Sequence, residues 1–177
     1  MNTRSVIRCC VVSAIFTLSV SAAENTQNLT SKEQGWAVRF TSPVLNQKEV
    51  TSSEIRYRFF GHTKDGFFLS LHVEPFFDQR KLCREQHIVD GSSFLDIVDL
   101  QSVRMIDQDI QEVHYNARIQ YKNTEYMMPN THYYFSVNGH CADLHFGATP
   151  TYDTHHEKSF DQLAKELKDS LLITDRM

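Results

Sequence analysis

THYYFSVNGHCADLHF, residues 131–146, decides how this chain is read. Asn138-Gly139 at its centre is a dipeptide suited to a two-residue β-hairpin, where both turn positions need positive φ. Folding the run back there pairs Val137 with His140, Ser136 with Cys141, Phe135 with Ala142, Tyr134 with Asp143, Tyr133 with Leu144 and His132 with His145. Side chains alternate across a sheet, so Tyr133, Phe135, Val137, Ala142 and Leu144 form one apolar, core-facing side. The other side carries His132, Tyr134, Ser136, Cys141, Asp143 and His145. Cys141 therefore points to the more polar face. A segment bringing a second cysteine to it must cross that face, so the sheet is expected to have a layer on both sides.

Upstream, SEIRYRFFGHTKDGFFLSLHVEP (53–75) reads as a second hairpin. A three-residue loop Lys64-Asp65-Gly66, with Gly66 left-handed, sets Phe59 opposite Leu71 and Tyr57 opposite Val73. Ile55, Tyr57, Phe59, Phe67, Leu69, Leu71 and Val73 then share one face, and Arg56 falls opposite Glu74 on the other. GWAVRFTSP (35–43) alternates Trp36, Val38 and Phe40 with polar or small residues and ends at Pro43, a strand. Val113, Tyr115, Ala117, Ile119 and Tyr121 alternate in the same way. Glu24–Gln34 is polar and aperiodic and reads as a flexible leader, and Val44–Ser53 as a connecting loop. For FLDIVDLQSV (94–103), capped by Ser92 or Ser93, a helix is preferred over a mostly buried strand. Near the end, Thr154 and Glu157 have capping-box spacing. Phe160, Leu163, Ala164, Leu167 and Leu171 then mark an amphipathic helix of four to five turns.

The first 23 residues carry a different message. Arg4 and Arg8 precede the apolar run Cys9–Ala22, and Ser21-Ala22-Ala23 supplies small residues for cleavage, so 1–23 reads as a secretory signal peptide. The run falls short of the ~20 apolar residues that a membrane span needs. Without Arg4 and Arg8 the 18 basic residues become 16 against 22 acidic ones, a formal charge of −6. No Lys/Arg cluster stands out, which argues against nucleic acid or anionic lipid as a partner. Cys83 and Cys141 are the cysteines left after cleavage, and in an exported chain an even pair reads as a disulfide.

Motifs for chemistry are sparse. His132 and His145 face each other at a Cβ separation of about 5 Å. With Asp143 or Tyr134 nearby they are candidate ligands for Zn²⁺ or Cu²⁺, to which His155, His156 and Glu157 would add. Two ligands do not make a structural zinc site, so hydrogen-bonded histidines on a half-covered face are the preferred reading. His140 and Cys141 are adjacent in a strand and point to opposite faces, so one cannot activate the other. There is no G-x-S-x-G, H-E-x-x-H or Gly-rich phosphate loop. Asp96 and Asp99 read as solvated carboxylates. The doublets Phe59-Phe60, Phe67-Phe68 and Phe76-Phe77 put an aromatic on each face of a strand. They imply a sheet covered on both faces or, less simply, an aromatic groove for a hydrophobic ligand or partner.

GWAVRFTSP, the 55–74 hairpin, the YYFSVNGHCADLHF hairpin and the closing YDTHHEKSFDQLAKELKDSL segment together resemble the PsbP/Mog1/DcrB-type fold over about residues 36–172. There is no Pro-x-x-Trp after the first strand, and the Cys83–Cys141 pair is the chain's own. The resemblance implies an α+β domain, an antiparallel β-sheet covered by helices in an αβα sandwich, and a role as an accessory, assembly or binding module. It carries over no functional residues. The expectation is a signal peptide (1–23), a leader (24–34) and a single domain (35–173) with one disulfide. The protein is expected to be periplasmic or secreted and non-enzymatic, without a cofactor or stable membrane insertion. Another protein is its expected partner, with His132, Tyr134, Asp143 and His145 as a candidate surface. A histidine-based metal binder is the second reading and a hydrolase the third.

Overall fold

A computed structural model describes residues 25–76, 83, 96–107, 110–152 and 158–175; the expected signal peptide lies outside them. The strands are β1 (Asn25–Ser31), β2 (Trp36–Ser42), β3 (Gln47–Ser52), β4 (Tyr57–His62), β5 (Phe67–Pro75), β6 (Asp96–Asp107), β7 (Ile110–Tyr121), β8 (Thr124–Val137), β9 (His140–Ala148) and β10 (Leu172–Asp175). The helix whose span is described is α1 (Phe160–Asp169). Strands form two antiparallel sheets, ordered β1-β2-β10 and β3-β4-β5-β9-β8-β7-β6. The fold is therefore mostly β, and the expected α+β sandwich covered by helices is overturned. Where a helical layer was expected, a three-stranded sheet carries much of the cover, with the ten-residue α1 beside it. Among the described residues no helix is long and apolar enough to cross a membrane.

The β8–β9 hairpin has the expected register from Val137↔His140 to His132↔His145. Asn138 and Gly139 both have positive φ, 44° and 74°, as a two-residue turn of this hand requires. In the β4–β5 hairpin Gly66 has φ 83°, and Phe59 lies opposite Leu71 and Tyr57 opposite Val73. A Cβ on Gly66 would also run into the Tyr152 backbone. Arg56 Nε comes within 3.8 Å of the buried Glu74 carboxylate. Ile55 departs from expectation: it precedes β4 and is 60% exposed.

Three further assignments are corrected. Residues 25–31, expected as leader, form β1 against β2, with Gln27, Leu29 and Ser31 turned inward. Gln27 is held there because its amide donates to Ser42 Oγ at 3.1 Å. Part of the expected loop 44–53 is β3, an exposed edge strand on β4. The expected helix near 94–103 is β6, paired with β7 through register shifts at Ile97/Asp99, Leu100/Ser102 and Met105/Asp107. Such irregularities disturb strict alternation, which is why its apolar spacing resembles a helix. In α1 the capping box is Ser159 with Gln162, and Leu163, Ala164 and Leu167 are buried as the periodicity predicts. The expected cap at Thr154 and Glu157 lies outside the described residues.

The main core fills the space between β2, α1 and the first face of the large sheet. Trp36, Val38 and Phe40 meet Leu69, Leu71, Tyr133, Phe135 and Leu144 there. A smaller cluster, Cys83, Val113, Tyr115, Ala117, Tyr134 and Cys141 with Phe76 against it, lies on the second face. Cys83 is disulfide-bonded to Cys141 with Cα atoms 5.1 Å apart, so the chain reaches that face as the cysteine pair requires.

Candidate functional site

The second face is built by alternation. Its residues are those whose strand neighbours point into the main core, so pleating alone brings Tyr115, His132, His145, Phe68 and Phe60 to one side of five strands. His132 and His145 are paired across β8 and β9. Their rings stack at a centroid distance of 3.8 Å and an interplanar angle of 16°. Tyr115 and Tyr134 also stack on His132, at 5.5 and 5.4 Å.

Hydrogen bonds fix the state of both imidazoles. His132 Nδ1 lies 2.8 Å from Asp143 Oδ1, and Nε2 lies 3.0 Å from the Tyr115 hydroxyl. A carboxylate only accepts, so Nδ1 carries a hydrogen, and in that tautomer Nε2 accepts from Tyr115. Asn130 Nδ2 donates to Met128 O at 2.8 Å, which turns Oδ1 towards His145 Nε2, also 2.8 Å away. His145 therefore bears its hydrogen on Nε2.

This geometry opposes chelation by the pair. Both ring nitrogens of His132 and one of His145 are already engaged, and stacked parallel rings do not converge on one point. Among the described residues no group of three or more His, Cys, Asp or Glu is placed to hold a metal. His155 and His156 lie outside those residues. The line carboxylate–imidazole–hydroxyl has the form of a proton relay, but its hydroxyl is a phenol only 7% exposed. Burial, with the Asp143 charge adding to it, pushes the Tyr115 pKa up to about 12. At neutral pH it remains a donor, and the line braces β7, β8 and β9. Of the four residues expected to form a surface, His132 and Tyr134 are buried and Asp143 and His145 half-buried. The structure thus brings the four together but packs them.

Open surface begins further along the same line of rings. His145 meets Phe68 edge-on at 4.9 Å, Phe68 stacks with Phe60 at 6.2 Å, and Phe60 contacts His62 at 6.3 Å. These last three rings floor a groove of about 720 Å³ whose other walls include Tyr121, Lys64, Gln47, Thr149 and Thr151. Two of the aromatic doublets, Phe59-Phe60 and Phe67-Phe68, are split by it. Phe59 and Phe67 are 2% and 1% exposed in the core, whereas Phe60 is 45% exposed. Among the described residues no carboxylate lines the groove. Sequence reasoning singled out the doublets but missed Tyr115, Asn130 and Tyr121 as partners of the histidines and the groove. For Tyr115 and Tyr121 the usable signal is their place in the alternating 113–121 run.

Burial lowers the His145 pKa well below its usual 6.5, the nearby His132 lowers it further, and Asp143 partly opposes both. A histidine with a depressed folded-state pKa binds fewer protons folded than unfolded once pH drops below about 6.5. Stability should therefore fall as pH falls from about 6.5 towards the folded-state value. His145→Gln, which keeps a donor for Asn130, should flatten this part of the profile. Urea midpoints of both proteins between about pH 5 and 8 check the sign. Equal pH slopes would rule the effect out.

No family model matches the chain, and no curated protein matches it. Among solved structures, a crystal structure from Bacteroides thetaiotaomicron VPI-5482 is similar at a TM-score of 0.43 and 9% identity, over 84% of this chain. The chain spans about half of that one, 48%. A likeness of this degree carries no argument about function.

Proposed function

We propose that the protein is an exported, non-catalytic binding module that engages another protein through the Phe60–Phe68–Tyr121 groove. An accessory factor, or an immunity-type protein that neutralises a toxin, is the role this reading favours. The observation that carries it is the splitting of the doublets. Phe60 and Phe68 lie on a groove floor although the core beneath them is already filled by Phe59 and Phe67. Exposed aromatic area costs a lone domain solubility, and aromatic side chains are the residues that most often dominate interface energy. The groove volume falls within the range of roughly 300–1,000 Å³ that binding sites occupy. Export is supported by the n-region and apolar run of residues 1–23 together with the Cys83–Cys141 bond.

The test places a photo-crosslinking residue at Phe60, at Tyr121 or at the exposed Lys165 of α1, in the cells that naturally make the protein. Positions 60 and 121 should give one adduct of defined mass, and position 165 none. Adducts equally strong at 165, or absent at 60 and 121, would refute the groove as the recognition surface.

A further inference from the structure

We infer that the groove is acid-responsive: proton uptake by His145 is passed through Phe68 to Phe60 and rearranges the groove floor. The inference rests on the proposed reading only in treating this floor as the recognition surface; the coupling itself stands on packing. His145 lies between two different worlds. On one side it stacks on His132 at 3.8 Å, and on the other it meets Phe68 edge-on at 4.9 Å.

With Nε2 held by Asn130 Oδ1, an incoming proton must settle on Nδ1, which has no hydrogen-bond partner among the described residues. Groups facing it are Asp143 on β9, His132 and Tyr134 on β8, Tyr115 on β7, and His72 and Glu74 on β5. Asp143 is the nearby carboxylate, but its Oδ1 is already bonded to His132. Glu74 lies near Arg56 and His72, at 3.8 and 3.7 Å. The new cation is thus parallel to a neighbouring imidazole and shares the Asp143 carboxylate with it. Its favoured response is to tilt its N–H towards the face of Phe68, where a cation is attracted to the ring.

Gly147 makes that tilt consequential. A Cβ at this position would lie 2.5 Å from the Phe68 ring and 2.7 Å from Asn130 Oδ1, so both groups rest on the same bare stretch of β9. A moving imidazole that drags Asn130 therefore displaces Phe68 as well, and Phe68 stacks on Phe60. Burial and the His132 neighbour hold the neutral form of His145 at neutral pH, so the change belongs to acidic conditions.

The experiment is a pH titration of the full exported chain by NMR, following the ring signals of His145, Phe68 and Phe60 and the methyl signals of Leu144 in the core. Phe68 and Phe60 should shift with the His145 midpoint while Leu144 stays in place. In His145→Gln the part of the Phe68 and Phe60 shifts that follows the His145 midpoint should vanish, and any shift passed on by His62, which contacts Phe60, is identified by following the His62 ring signals as well. The inference is overturned if the phenylalanine signals ignore the His145 titration, if they titrate unchanged in His145→Gln, or if Leu144 moves with them, which marks general unfolding. Should the variant not fold, the wild-type titration decides alone. A failed crosslink at position 60 with intact ring coupling would refute the proposed partner site and leave the coupling standing.

Discussion

Replacing Cys83 and Cys141 together by serine should lower stability by roughly 4 kcal/mol, the largest loss expected from any change that leaves the main core intact. The cysteines are 58 residues apart in sequence, so their bond removes much of the freedom of the unfolded chain between them. The loop spans β6, β7 and β8, nearly half of the large sheet. Urea denaturation with and without reductant separates this from local damage. Reductant should shift the wild-type midpoint down to that of the double variant and leave the variant where it was. If the wild-type midpoint ignored reductant under conditions that reduce the bond, the disulfide would not be what holds this part of the fold.

Trp36→Ala should cost about 5 kcal/mol through two separable contributions. Trp36 is fully buried and meets Tyr57 edge-on at 4.9 Å, so truncation opens a large cavity worth about 3–5 kcal/mol. Its Nε1 also donates to Gln34 Oε1 at 2.7 Å, and Gln34 is itself buried. Gln34 Nε2 in turn reaches Ser53 O and Glu54 O at 3.3 and 3.2 Å, which ties the β3–β4 connection to the small sheet. Removing the indole leaves a buried amide oxygen without its donor, adding about 1–3 kcal/mol. Trp36→Phe keeps much of the volume and loses the hydrogen bond, so it should fall between wild type and Trp36→Ala. Trp36 is the sole tryptophan, so circular dichroism rather than intrinsic fluorescence must follow the unfolding. A loss below about 2 kcal/mol for Trp36→Ala would contradict the packing described here.

Legibility of the chain followed the turns. At Asn138-Gly139 the turn leaves one register, and every pair from Val137↔His140 to His132↔His145 could be written down from sequence. Gly66 did the same for β4 and β5. The β7–β8 turn gave no such signal. Lys122 and Asn123 take φ of 49° and 64° without a glycine, so the position of Tyr115 beside His132 could not be read. β1 was missed because two of its three inward residues, Gln27 and Ser31, are polar. β6 was mistaken because its register shifts break the period of two. Alternation also says which face a side chain takes without saying what covers that face. Hence the site's histidines were correctly placed opposite each other on a partly covered face, while the aromatic groove stood only as the alternative to a sheet covered on both faces.

The small sheet imposes an order of events on a chain delivered N-terminus first. β1 and β2 are sequence neighbours and can pair as soon as both are free, but the other edge of β2 is taken by β10, which follows every other described strand in sequence. Leu172 to Asp175 must arrive before Arg39 to Trp36 are paired on that side. Until then the unfinished molecule displays an open strand edge beside its largest buried side chain. The last closure of the outer layer thus waits on a four-residue strand, and the small sheet is two-stranded until that strand docks.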